Sequence, residues 1–173
     1  MPASGLVIER VEVDKKRYLD LLLLADEQEE MVDRYLDSGD IYVILADGAA
    51  VAECVVTDEG EGLLELKSLA VAPRYQGRGL GRLLIETMLE RYRGSHSIMQ
   101  VGTGDVPSTV GFYERCGFTR SHVIENFFTD NYDHAIFEDG VQLVDMVCLR
   151  RPMRSLWDGD AESRSSGLGI LVR

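Results

Sequence analysis

"LKSLAVAPRYQGRGLGRLLIETML", Leu66 to Leu89, decides how the rest of the chain is read. An apolar stretch ends at Pro73, three glycines then alternate with Arg78 and Leu80, and a helical apolar pattern follows. Alternating glycines let backbone N–H groups approach a ligand with no Cβ in the way. The start of the following helix offers unpaired N–H groups and the positive end of its dipole. Together these features suit an anion such as a phosphate. Arg74, Arg78 and Arg82 add positive charge, although Arg82 also fits a solvated helix face. The alternative is a glycine-rich loop that only turns the chain. A Walker loop is excluded, because no Lys-Ser or Lys-Thr follows the glycines. A dinucleotide fingerprint also fails, because the spacing is Gly77-x-Gly79-x-Gly81 and Pro73 intervenes after the strand.

Outward from this stretch the elements alternate. Over Leu80–Tyr92 the polar residues Arg82, Glu86, Glu90 and Arg93 keep to one narrow side, and apolar residues cover the rest. So wide an apolar face predicts packing against a sheet. Upstream, Leu6–Val13 predicts a strand, and Lys15–Ala25 and Glu27–Leu36 predict helices. Ile41–Ala46 and Val51–Thr57 predict strands joined at Asp47-Gly48, and Leu63–Val71 a third strand. Downstream, Ile98–Gly102 is a strand, Thr109–Cys116 a helix stopped by Gly117, and Arg120–Phe127 and Val144–Arg150 are strands. The order β-α-α-β-β-β-α-β-α-β-β gives a mixed α/β class, hairpins first and a βαβ crossover after. Residues 1–153 read as one domain, and the polar, Ser-rich residues 154–173 as a flexible tail, with a tail docked through Trp157 as the alternative.

Composition narrows the function classes. The 173 residues carry a net charge of −12, which argues against general nucleic-acid binding, where a basic stripe supplies most of the affinity. No apolar run approaches the roughly 20 residues of a membrane span, and the N-terminus lacks the basic-then-apolar order of a secretory signal. Cys54, Cys116 and Cys148 are odd in number and form no CxxC, so buried free thiols and a cytoplasmic location are expected. His96, His122 and His134 have no metal-ligand spacing, and no metal is expected.

The opening stretch resembles the acetyl-CoA motif of the GNAT (GCN5-related) N-acetyltransferases through Leu69, Val71, Pro73, Gln76, Gly79 and Gly81. "STVGFYERCGF", Ser108 to Phe118, resembles the family's second motif through Phe112, Tyr113, Gly117 and Phe118. The element order is also the family's, and the likeness spans about Leu6 to Met153. It implies a mixed central sheet of about six to seven strands flanked by helices. It implies that the pyrophosphate of CoA lies on the loop of Gln76, Gly77, Arg78, Gly79, Leu80 and Gly81, with Arg82 also among the cofactor-binding residues. The pantetheine arm then pairs with the backbone of Leu69, Ala70 and Val71, in a gap between that strand and Ile98–Gly102. Thr103, within "VGTG" (Val101 to Gly104), and Ser108, Phe112 and Tyr113 complete the implied cofactor contacts. The two glycines of "VGTG" suit the approach of the acyl end or a simple strand-ending turn.

An amine attacking a thioester must be neutral, the oxyanion needs donors, and the leaving thiolate needs a proton. The resemblance gives the last task to Tyr113 and the oxyanion to the backbone N–H near Leu69. A phenol of ordinary pKa near 10 gives its proton to a thiolate of pKa near 8.5 only slightly uphill. Strict alternation puts Leu63, Glu65, Lys67, Leu69 and Val71 on one face, unless a bulge near Leu69 changes the parity. Glu65 resembles the position where many members of the family place a glutamate base, acting directly or through water; other members use water chains with no dedicated base, and Glu65 is equally one half of a Glu65–Lys67 surface pair. The acceptor surface is expected from the first two helices and from Glu125 to Met146, a segment that resembles a poorly characterised bacterial branch of the family. Phe127, Phe128, Tyr132, His134 and Glu138 are candidates to shape it, and Glu27, Glu29, Glu30 and Asp33 to attract a cationic amine. The expected function is acetyl transfer to a primary amine. A longer acyl donor, a non-catalytic acyl-CoA sensor and a tail that recruits a partner are the alternatives, and homodimers are frequent in the family.

Overall fold

The computed structural model describes residues 5–153 and the backbone of Leu171 and Val172. Its sheet grows from hairpins. Strands β1 (Leu6–Val11), β2 (Asp40–Ala46), β3 (Ala49–Asp58) and β4 (Leu63–Val71) pair antiparallel in chain order. Asp47 and Gly48, at φ 50° and 83°, close the β2–β3 turn, and two successive left-handed residues are what a two-residue hairpin requires. Strand β5 (Ile98–Gly104) then runs parallel to β4, after the crossover through α3 (Leu80–Tyr92). The later strands are β6 (Thr119–Ile124), the short hairpin β7 (Phe137–Glu138) and β8 (Val141–Gln142), β9 (Met146–Pro152) and β10 (Leu171–Val172). The main sheet reads β10-β1-β2-β3-β4-β5-β9-β6. It is therefore the expected mixed sheet, with seven strands up to residue 152 and an eighth from Leu171–Val172, which pairs in parallel with β1. The rest of the tail expected from Arg154 onward lies outside the described residues.

Both faces of the sheet are covered. On β2, Tyr42 and Ile44 join a core with Leu84, Ile85 and Met88 of α3 and with Val110 and Tyr113 of α4 (Pro107–Arg115). The alternate residues Ile41 and Val43 pack instead with Leu22 of α1 (Leu19–Ala25) and Val32 of α2 (Glu29–Asp33). A strand buried on both faces must be apolar nearly throughout, as "IYVIL" is. Cys54, Cys116 and Cys148 are buried and unpaired within these layers. Among the described residues no helix is long and apolar enough to cross a membrane.

Several boundaries move from their sequence expectation. The helix expected over Lys15–Ala25 opens as a 3-10 turn at Lys15–Tyr18, and the one over Glu27–Leu36 shortens to Glu29–Asp33. The strand expected to reach Phe127 stops at Ile124, because Asn126 turns the chain with φ 58° and caps α5 (Phe127–Asn131). Periodicity showed neither α5 nor the β7–β8 hairpin. The short α2 leaves carbonyls without helical partners, and Lys15 Nζ gathers those of Leu36, Asp37 and Gly39 at 3.1, 3.3 and 2.7 Å.

Replacing Lys15 by Met removes the one ammonium that serves three carbonyls. It is expected to cost about 1 kcal/mol or more, which at this chain length lowers Tm by about 2–4 °C. Lys16→Met, which breaks only solvent-facing pairs with Glu29 and Asp33, is expected to leave Tm unchanged in the same thermal melts.

Candidate active site

Strands β4 and β5 pair only from Leu63–Ile98 to Leu66–Val101. Past that point β4 continues on β3 to Val71, while β5 continues on β9 to Gly104. The facing edges therefore separate and leave a cleft of about 900 Å³ between them. At the fork β4 carries a bulge: Leu66 faces Val56 and Ser68 faces Val55, so Lys67 has no partner across the ladder. The bulge lies two residues before the expected position near Leu69, and it breaks the strict alternation of Leu63 through Val71. Before it, Leu64 and Leu66 pack toward α3; after it, Leu69 and Val71 do. Glu65 and Ser68 consequently share the opposite face, the one roofed by α1 and α2.

The glycine loop closes one end of the cleft. Gly77 and Gly79 have φ of 75° and 81°, and a Cβ on either would meet nothing within 4 Å. Their main chain is thus bent as L residues rarely bend, and open on its outer side. Gly79 begins α3 without a side-chain cap, so the first N–H groups of the helix point outward unpaired. Gly81 serves packing, because its Cα approaches Phe112: an added Cβ would lie 3.2 Å from the ring. Gln76, Gly77, Gly79, Leu80, Gly81 and Arg82 all line the cleft, but Arg78 does not; its guanidinium stacks on Tyr75 at 5.1 Å. Ala70 does not line it either, because the bulge turns that side chain into the buried layer beside Glu53.

Leu69, Val71, Thr103, Ser108, Phe112 and Tyr113 line the walls. Ser108 spends its hydroxyl on Asp139, and Thr109 donates to Glu138, which ties the β7–β8 hairpin to the start of α4. The glycines of "VGTG" serve packing: a Cβ on Gly102 would strike Met146, and one on Gly104 would strike Leu143. Tyr113 is 7% exposed, and burial pushes its phenol well above the ordinary value. Its proton is therefore held more tightly than the sequence arithmetic assumed. Glu65 lines the cleft and faces Lys67 Nζ at 3.3 Å, so the surface-pair alternative is present in the geometry together with the cleft position.

Sequence reasoning did not single out Asp26, Tyr35, Glu53 or Ser68. Glu53 has no exposed surface, accepts a 2.6 Å hydrogen bond from Ser68 Oγ, and leaves Oε2 without a partner. Burial pushes its pKa up to about 8, against the opposing Ser68 hydrogen bond. A lone acid inside "VAECVV" was the available signal, since every neighbour fits a buried strand. Tyr35 lines the cleft, and its buried hydroxyl also lacks a partner.

The other end of the cleft lies between α1–α2 and the segment from Asn126 to Met146. Phe127, Phe128, Tyr132 and Glu138 line it; His134 does not, being held at the surface by Asp133 and Glu27. Tyr132 stacks on Phe128 and donates to Asp26 Oδ1 at 2.7 Å, and Arg34 donates to Asn131 at 3.0 Å, so the two segments are bridged. Burial pushes Asp26 above the usual carboxylate range. Of the acids expected to attract an amine, only Glu27 lines the cleft; Glu29 and Asp33 are engaged by Lys16. Among the described residues no group of three or more His, Cys, Asp or Glu side chains is arranged to hold a metal.

Comparison with known proteins agrees with this geometry. A family sequence profile described as "Acetyltransferase (GNAT) domain" matches residues 37–120. An uncharacterized N-acetyltransferase of Bacillus subtilis (strain 168), YvbK, is 33% identical over 152 residues, 86% of this chain and 97% of that one. A GNAT family acetyltransferase from Elizabethkingia anophelis, crystallised with acetyl-CoA bound, superposes with a TM-score of 0.82 at 28% identity over 87% of this chain and 99% of that one. A Bacillus subtilis acetyltransferase in complex with CoA gives 0.78 at 31% identity over 86% and 99%.

Glu53 predicts a pH signature in stability. Its folded pKa lies above the ordinary carboxylate value, so its contribution is complete below about 4.5 and is lost as pH rises through about 8. In thermal melts from pH 5 to 9, Glu53→Gln is expected to flatten the decline of Tm and to match or exceed the parent at pH 9.

Proposed function

This chain belongs to the GNAT acetyltransferase family, and from that premise we propose that it moves an acetyl group from acetyl-CoA to a primary amine of a small molecule or peptide, by direct attack in a ternary complex. The observation that carries the proposal is the meeting of the β4–β5 fork with the open glycine loop at the head of α3. The Elizabethkingia and Bacillus subtilis relatives hold acetyl-CoA and CoA. The residues here fit the same ligand: outward N–H groups and empty space over Gly77 and Gly79 suit a diphosphate, with Arg82 on the cleft wall.

Each group then has a task. The edge of β4 from Leu69 to Val71, where the Val71 carbonyl already accepts from Gln76 Nε2 at 3.0 Å, offers main-chain hydrogen bonds to the pantetheine arm, as to an added strand. The N–H beside Leu69 faces the thioester oxygen and stabilises the charge that develops there. Tyr113 serves the leaving sulfur as a hydrogen-bond donor, the role open to a phenol that burial has made a weaker acid. Glu65, on the acceptor face of β4, meets the incoming amine; taking its proton would cost the pair with Lys67. The aromatic end with Asp26 and Glu27 supports an amine carried on an apolar body.

A thiol-release assay of acetyl-CoA against a panel of primary amines tests the proposal, and silence with every amine would refute it. Gly79→Ala is expected to raise the Kd for CoA about tenfold or more in titration calorimetry. A left-handed L residue there costs stability only about 1 kcal/mol, because no neighbour is struck. Tyr113→Phe is expected to lower kcat about 10- to 100-fold with KM for acetyl-CoA little changed.

A further inference from the structure

The mechanism above leaves the buried Glu53–Ser68 pair beside the cleft without a task. We propose that Ser68 and Glu53 form a proton relay that carries the proton of the attacking amine away from the cleft, Ser68 touching the amine and Glu53 receiving the proton behind it. This rests on the reading of the cleft as an acetyl-transfer site.

Three observations support the relay. Ser68 lines the cleft immediately after the bulge, one residue before the N–H assigned to the thioester oxygen. Its hydroxyl donates inward to Glu53 Oε1 at 2.6 Å, and its own lone pairs face the cleft, where the Tyr35 hydroxyl is its neighbour. Glu53 is entirely buried among Val43, Val55 and Ala70, with Oε2 unpartnered. An acid there costs several kcal/mol of desolvation that a Gln or Met would avoid, and an orphaned buried oxygen calls for an explanation. Accepting a proton relieves that cost. The titratable groups around it are Tyr35 from the turn after α2, Cys54 beside it and Tyr113 from α4 across the sheet, with Asp26 acting on Tyr35. Burial disfavours its charged form, and the Ser68 hydrogen bond opposes this only in part. Its pKa near 8 places it where it takes up a proton readily at neutral pH once ionised.

The step balances. As the amine nitrogen bonds to the acyl carbon, the carbonyl π pair moves to oxygen; when it returns, the C–S bond breaks and its electron pair stays on sulfur, met by the Tyr113 hydroxyl. The surplus proton on nitrogen moves to Ser68 Oγ while the Ser68 hydroxyl proton moves to Glu53. After the products leave, Ser68 gives its proton to water in the cleft and takes back the one held by Glu53. Glu65 keeps its pair with Lys67 and orients the amine. Glu53 thus acts through Ser68 and is a positioning residue, whereas Ser68 touches the substrate.

The test is the pH profile of kcat for the full chain, with acetyl-CoA and two accepted amines of different basicity. A limb near pH 8 that stays put with both amines is expected for the parent. Glu53→Gln and Ser68→Ala are expected to lose that limb and to lower kcat about 100-fold, with CoA affinity by calorimetry unchanged. Ser68→Thr, which keeps the hydroxyl, is expected to restore the limb, and Glu65→Gln to raise the amine KM while retaining it. Turnover with a parental profile in Glu53→Gln, or a limb that shifts with the amine in every variant, overturns the relay alone. No thiol release with any amine overturns the relay and the acetyl-transfer reading together. If Ser68→Ala melts below the assay temperature, Ser68→Thr and Glu53→Gln decide.

Discussion

One extra residue in β4 governs the site. Because Lys67 has no partner on β3, the strand twists away from β5 and exposes two main-chain edges that an unbroken sheet would have satisfied internally. Those edges are costly to leave bare in a buried setting, and an extended ligand arm that pairs with them meets the cost. The same bulge reverses the side-chain parity. It sends Leu69 and Val71 into the α3 core and turns Ser68 toward Glu53, so the cleft has an apolar wall on one side and a buried acid behind the other.

The glycine loop extends this logic. Gly77 and Gly79 hold backbone conformations that side-chain-bearing residues resist, and the first turn of α3 points its free N–H groups into the same space. Gly81, Gly102 and Gly104 look similar in sequence but serve packing, since Phe112, Met146 and Leu143 fill the volume their side chains would need. The opposite end of the cleft follows a different principle. A small separate core of Val106, Phe128, Ile136 and Leu143 holds the insertion before β9, and polar bridges from Tyr132 and Asn131 fasten it to α1 and α2. A site built from two such segments has its width set by side chains distant in sequence.

Legibility followed the range of the interactions. The helix over Leu80–Tyr92 and the strand over Leu63–Val71 were read to the residue, because a clean apolar period and a glycine–proline break mark both. The two-residue turn at Asp47-Gly48 was equally plain. The helix α2 is shorter than its apolar period suggests and α5 is not visible in the pattern, because Lys15 reaches the carbonyls of Leu36, Asp37 and Gly39 and Asn126 adopts a left-handed turn. Glu53 stood out only as an acid among apolar neighbours, and Ser68 did not stand out at all.

By itself the sequence determined the element order, the glycine loop with its helix start, and the two motifs that identify the family, because each is written in residues close along the chain. The tertiary structure alone decided the bulge at Lys67, the face on which Glu65 and Ser68 lie, the pairing of Ser68 with Glu53, and the bridge from Tyr132 to Asp26. These depend on which strand lies opposite and which helix lies above. A β-strand's alternation fixes its two faces only until one unpaired residue exchanges them, and that residue is chosen by pairing across the sheet.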